Sequence, residues 1–126
     1  MTTPIPTGIK LHRASRMLEL EYADGNRYQL PAEYLRVLSP SAEVRGHGRP
    51  VLQTGKMNVG LVGVEPAGNY ALKLTFDDGH DSGLYSWDYL YRLATHREML
   101  WQDYLEQLNN AGASRDPDVS AVKLFF

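Results

Sequence analysis

Hydrophobic and polar positions alternate most cleanly over residues 17–22. Leu18, Leu20 and Tyr22 face one way, and Glu19 and Glu21 the other. A period of two marks a half-buried strand. Asp24-Gly25 follows as a turn, because glycine takes positive φ cheaply, and residues 27–30 return with Tyr28 and Leu30 on one face. Residues 9–13 read as a short strand ahead of this hairpin. Pro31 suits the first position of a helix, where its missing N–H is no loss. Residues 32–38 then give two turns with Tyr34, Leu35 and Leu38 inward, and Ser39-Pro40 stops them, since a residue before proline avoids the α region.

The second half repeats this order. Residues 61–65 are an apolar strand, residues 66–69 a turn, and residues 70–76 alternate Leu72, Leu74 and Phe76 against Lys73 and Thr75. Asp78-Gly79 turns the chain and residues 82–85 pair back. Ser86 caps a helix running through Leu93. Thr95 and Glu98 have the spacing of a capping box for the next helix, in which Leu100, Trp101, Tyr104, Leu105 and Leu108 form a core stripe that ends at Gly112. Leu20, Tyr22, Asp24, Gly25 and Tyr34-Leu35 are thus echoed by Leu74, Phe76, Asp78, Gly79 and Tyr89-Leu90. Duplication and convergence on good hairpin chemistry both explain the echo. The sum is an α+β domain, a mainly antiparallel sheet of hairpins with two or three helices packed on one side. Residues 1–8 read as a flexible arm, 9–112 as the domain, and 113–126 as a partly disordered tail closing on apolar Leu124-Phe125-Phe126.

Composition narrows the function. The 126 residues suit one domain, and the absence of cysteine removes disulfides, thiolate metal sites and thiol catalysis. Net charge is −2, so a general attraction to nucleic acid is not expected. Charge is uneven: residues 1–56 carry eight Lys/Arg against five Asp/Glu, and residues 57–126 five against ten. No apolar run reaches membrane-spanning length and no secretory signal opens the chain, so a cytoplasmic location without membrane association is expected.

Catalytic motifs are missing. Gly48 to Lys56 has the wrong spacing for a phosphate loop, with Met57 where Ser or Thr would hold magnesium. There is no Gly-x-Gly-x-x-Gly opening a helix and no Gly-x-Ser-x-Gly elbow. His96-Arg97-Glu98 formally matches a His-x-Glu iron pair, but no later histidine completes the set. Two segments carry candidate chemistry. Arg45, His47 and Arg49 sit in a basic, glycine-rich stretch suited to holding an anion. His80 and Asp81 lie in Asp77-Asp78-Gly79-His80-Asp81, where carboxylates beside an imidazole can collect a cation or contact a partner; the plainer reading is a solvated turn. Tyr85 and Trp87 follow closely and either line a site or close the core.

Residues 20–25, 30, 34–36 and 39–47, and above all Phe76-Asp77-Asp78-Gly79-His80-Asp81-Ser82-Gly83-Leu84-Tyr85-Ser86-Trp87-Asp88-Tyr89-Leu90, resemble the gamma-butyrobetaine hydroxylase-like N-terminal domain family, as a standalone bacterial member. The resemblance spans roughly residues 9–110. It implies a small module that in oxygenases precedes the catalytic domain and holds a structural zinc through three cysteines and a histidine. His80 falls on the histidine position, Ser39 and Ser41 near two cysteine positions, and Val44 near the third. The zinc ligands are therefore absent except for His80, their remnant. Similar domains are joined to P-loop scaffold proteins of iron–sulfur cluster assembly, which implies protein interaction.

The resulting expectation is a non-catalytic binding or accessory module acting on an unknown protein partner, with assembly as a homo-oligomer left open. A metal-binding accessory domain, zinc being the ion the resemblance raises, and a small-molecule binder using residues 39–60 as a lid are the alternatives. No cofactor is expected.

Overall fold

The computed structural model describes residues 3–41 and 51–119. Two units of three strands and a helix follow one another. The first holds β1 (Gly8–His12), β2 (Met17–Glu21), β3 (Arg27–Pro31) and α1 (Ala32–Val37); the second holds β4 (Leu61–Ala67), β5 (Ala71–Phe76), β6 (Leu84–Ser86) and α2 (Trp87–Thr95). A longer helix, α3 (Arg97–Ala111), completes the α+β fold. Each unit makes its own antiparallel sheet, in the orders β1-β2-β3 and β4-β5-β6, where one sheet of hairpins was expected. The registers pair Leu20 with Ile9 and Tyr28, and Leu72 with Pro66 and Tyr85.

The core forms where the apolar stripes meet. Leu18, Leu20 and Leu30 from the first sheet pack with Leu61, Leu72, Leu74 and Phe76 from the second, closed by Tyr34 and Leu35 of α1 and by Leu90 and Leu93 of α2. A smaller cluster joins Val37 to Tyr104 and Leu108 of α3. Glu19 lies on the outer face of the first sheet, yet it is largely covered: His12 Nε2 and Gln29 Nε2 lie 3.3 Å from Oε1, and Lys10 Nζ 4.0 Å from Oε2.

Three local expectations are corrected. Pro31 is the N-cap of α1, extended at ψ 144°, and remains in β3. β4 runs through Pro66, which an edge strand tolerates because no ladder hydrogen bond is owed on its open side, so the turn moves to Gly68 at φ +57°. Thr95 ends α2 rather than capping α3. Its hydroxyl donates back to Tyr91 O at 2.8 Å, and His96 serves as the N-cap without a side-chain bond to the helix start. Ser86 does cap α2, accepting the Tyr89 N–H. Residues 113–118, within the tail expected to be partly disordered, run beside residues 55–57: the Gly55 N–H donates to Ser114 O at 2.9 Å and the Met57 N–H to Arg115 O at 3.0 Å.

Candidate functional site

The turn after β5 fixes the backbone of His80. The Phe76 N–H donates to His80 O (3.0 Å), the Gly79 N–H to Phe76 O (3.1 Å), and the His80 N–H to Asp78 Oδ1 (3.1 Å). Gly79 sits at φ +89°, which only glycine adopts without strain. The ring is not solvated: His80 is 5% exposed, with the Phe76 ring centroid 6.1 Å away. The facing wall is the end of α1. The Tyr85 hydroxyl donates to Leu35 O and the Tyr89 hydroxyl to Leu38 O, both at 2.5 Å, so carbonyls left over at the helix end are satisfied by side chains from the second unit. Ser39 and Ser41 leave this end towards His80. Ser39 Oγ lies 2.9 Å and Ser41 Oγ 3.2 Å from His80 Nε2, and the Ser41 N–H reaches Ser39 Oγ at 3.3 Å. Ser39 is 1% and Ser41 5% exposed. A glycine makes the fit possible, because a Cβ on Gly83 would stand 2.5 Å from Ser39 Oγ.

Charged groups brace the same turn. Asp78 Oδ2 takes Arg36 Nε at 2.8 Å and Lys56 Nζ at 2.7 Å, while Arg36 Nη1 donates to Gln53 Oε1 at 3.1 Å and the Tyr104 hydroxyl to Gln53 O at 2.7 Å. Burial pushes the Asp78 carboxyl up, but Lys56, the His80 N–H and Arg36 outweigh it and hold the group down at about 2. Asp78 is therefore an anion that ties α1, the 51–60 segment and the His80 turn together. For Tyr85, burial pushes the hydroxyl above its ordinary range, against a lowering hydrogen bond from Ser39.

The candidate residues scatter. Arg45, His47 and Arg49 lie outside the described residues, as does Val44. Asp81 is exposed and pairs with Lys73 across 4.0 Å. Tyr85 is wholly buried, and Trp87 is half-buried with its indole N–H on Asn69 O at 2.7 Å. His96 is exposed at the α2–α3 junction. What the structure does bring together is Ser39, Ser41 and His80, around the spot that the resemblance marks. Asp78 was legible only as part of the turn, and Arg36, Lys56 and Gly83 carried no sequence signal for this role, because the contacts that bring them here span 17 to 44 positions along the chain.

The donor set does not suit a tight zinc. One imidazole and two neutral hydroxyls lack the thiolate or carboxylate charge such sites use. Among the described residues no group of three His, Cys, Asp or Glu side chains is gathered for a metal. Nor do they hold a helix long and apolar enough to cross a membrane.

Residues 9–91 match the family model described as gamma-butyrobetaine hydroxylase-like, N-terminal. A protein solved by NMR shares 66% identity over 99% of this chain and all of its own, with a TM-score of 0.84. A second NMR structure shares 53% identity over 100% of this chain and 99% of its own, at 0.78. A crystal structure of a protein of unknown function from Acidithiobacillus ferrooxidans ATCC 23270, of the DUF971 family, shares 39% identity over 73% of this chain and 92% of its own, at 0.60. No curated protein matches the chain.

Proposed function

The chain belongs to the gamma-butyrobetaine hydroxylase-like N-terminal family, and from that footing we propose that it is a non-catalytic accessory module that binds a protein partner. One observation carries this reading. The most reactive constellation among the described residues, Ser39–His80–Ser41, is walled off and turned on itself, while large apolar side chains stay outside. Val51, Val62, Tyr70 and Val119 are each about half exposed, and Met57 and Leu84 nearly so. A partner, on this reading, covers some of these side chains. On this reading the protein is cytoplasmic, needs no resident cofactor and takes no nucleic acid. A second copy of the chain is the alternative partner.

Affinity capture with the full chain tests it, run beside Met57→Asp and Leu84→Asp, which place charge on exposed positions and should leave the fold intact. The reading requires a stoichiometric partner that one of these variants loses. Turnover of a substrate by the purified chain would end it.

Metal binding is the second reading, and the convergence of Ser39, Ser41 and His80 is what favours it. Elemental analysis of untagged protein, with chemical-shift titration by zinc followed at His80, separates the two. A stoichiometric metal with a shift at His80 would put the metal reading first.

A further inference from the structure

We infer that residues 113–119 are a strap that keeps the Ser39–His80–Ser41 site closed, latched by Arg115 on Glu33. The strap and all of α3 lie beyond the residues 9–91 that match the family model, yet the strap's contacts fall on α1 and on the 51–60 segment, the two stretches that Asp78 ties to the His80 turn. On α1, Arg115 Nε and Nη2 each donate to a Glu33 carboxylate oxygen at 2.7 Å, and the guanidinium lies 5.1 Å over the Trp101 ring. A planar fork on a carboxylate, backed by an aromatic face, is a strong and directional contact. The Glu33 side chain is 8% exposed, so without Arg115 a nearly buried carboxylate would lose its partner.

On the 51–60 segment the strap pairs by backbone with Gly55 and Met57. Gly55 is at φ +67°, and a Cβ there would stand 3.2 Å from Pro117 Cα, so strap and segment are fitted to each other. Lys56, between those two paired residues, reaches Asp78, and Asp78 holds the His80 N–H. Gln53 in the same segment takes Arg36 and Tyr104. Lifting the strap removes the backbone support of Lys56 and frees the α1 start together, so local opening at His80 becomes easier without global unfolding. The strap is a property of the fold and acts whether or not a partner binds.

Diethyl pyrocarbonate labelling of the full chain, mapped by peptide mass spectrometry, reads the accessibility of each imidazole. Arg115→Gln should raise the labelling rate of His80 about tenfold, as expected for one lost latch on a local opening. Glu33→Gln/Arg115→Gln, which leaves no buried charge unpaired, should do the same. His12 and His96, already reachable, should keep their rates. Leu20→Ala, in the core of the first sheet, lowers global stability away from the strap and serves as the control. An unchanged His80 rate in both strap variants, or an equal rise in Leu20→Ala, overturns the inference.

Discussion

His80 holds in the second hairpin the place that Asn26 holds in the first. The Tyr22 N–H donates to Asn26 O as the Phe76 N–H donates to His80 O, at 2.9 and 3.0 Å. Asp24 Oδ1 accepts the Asn26 N–H as Asp78 Oδ1 accepts the His80 N–H, at 2.9 and 3.1 Å. Gly25 and Gly79 share φ +89°. One turn is used twice, and only the second copy carries an imidazole inward to Ser39 and Ser41. The first spends its Asn26 amide locally on Asp24 Oδ2.

His80→Asn should therefore keep the turn and lose the site. The backbone bonds of residues 76–80 do not need the ring, whereas Ser39 and Ser41 would lose the acceptor or donor they share. Chemical denaturation should show a loss of about 1–2 kcal/mol, the cost of leaving buried hydroxyls short of a partner. Amide shifts in the 76–80 turn should change little. Collapse of that turn would show that the ring, not the backbone, holds it.

Acid should weaken the same region through Asp78. The ordinary value for this carboxyl is 3.8, and the folded protein holds it at about 2, so below pH ~4 the unfolded chain binds the proton more readily. The stabilisation is complete above that pH, falls as pH drops from ~4 to ~2, and is gone below. It amounts to about 1–2 kcal/mol once solvent screening of a partly exposed group is allowed for. Stability measured against pH should lose this component in Asp78→Asn. An identical acid limb in the variant would place the titrating group elsewhere.

Period and turn chemistry made most of the elements legible. The alternation at Leu18 and Leu20, the two Asp-Gly turns and the Ser86 cap each fix local structure with residues close in the chain. The division into two sheets was not legible, because whether β3 pairs with another strand depends on packing that no local pattern encodes. Thr95 misled for a related reason. Its hydroxyl had a choice between capping α3 and closing back on Tyr91 O, and with only His96 between the helices it took the second. His80 looked like a solvated turn residue because Asp77, Asp78 and Asp81 surround it in sequence. Burial came from Ser39, about forty residues away, and only the family resemblance had placed that residue nearby.

Tyr22 offers a test in the opposite direction. Its hydroxyl is buried without a hydrogen-bond partner among the described residues, and burial pushes it up to about 12. Its ring meets Tyr28 and Tyr91 edge-on at 5.8 and 5.3 Å. Tyr22→Phe keeps those contacts and removes the unsatisfied group, so stability should hold or rise by up to ~1 kcal/mol. Tyr34→Phe should lose about 1 kcal/mol, since its hydroxyl donates to Leu93 O at 2.7 Å. Equal losses in the two variants would mean that Tyr22 has a partner after all, such as an ordered water.

Ser39→Cys/Ser41→Cys should turn the hydrogen-bonded cluster into a zinc site. Both hydroxyls already converge on one imidazole nitrogen, so two thiolates there would add the charge and softness that the native set lacks. Competition with a chromophoric chelator should show zinc held at least about a hundredfold tighter than by the unmodified chain. Adding His80→Asn should remove most of the gain. Zinc binding that survives that change would place the metal on the cysteines alone, away from the site.

Gly83 tests how tightly the site is packed. A methyl group there would lie 2.5 Å from Ser39 Oγ and 3.3 Å from both Pro40 Cδ and Tyr85 Cε1. Ser39 is buried and bonded to His80, and Tyr85 is wedged in the core, so neither can swing away. Gly83→Ala should then cost about 2–3 kcal/mol, as overpacking a filled interior does. Removing the obstacle should recover part of that loss. Ser39→Ala alone should cost about 1 kcal/mol for its hydrogen bonds, and in the double variant the same change should relieve the closest contact. The two losses together should fall short of additivity by about 1 kcal/mol or more, as expected for residues in direct contact. Strict additivity in a double-mutant cycle would mean that Gly83 and Ser39 do not touch, and the wall around His80 would have to be redrawn.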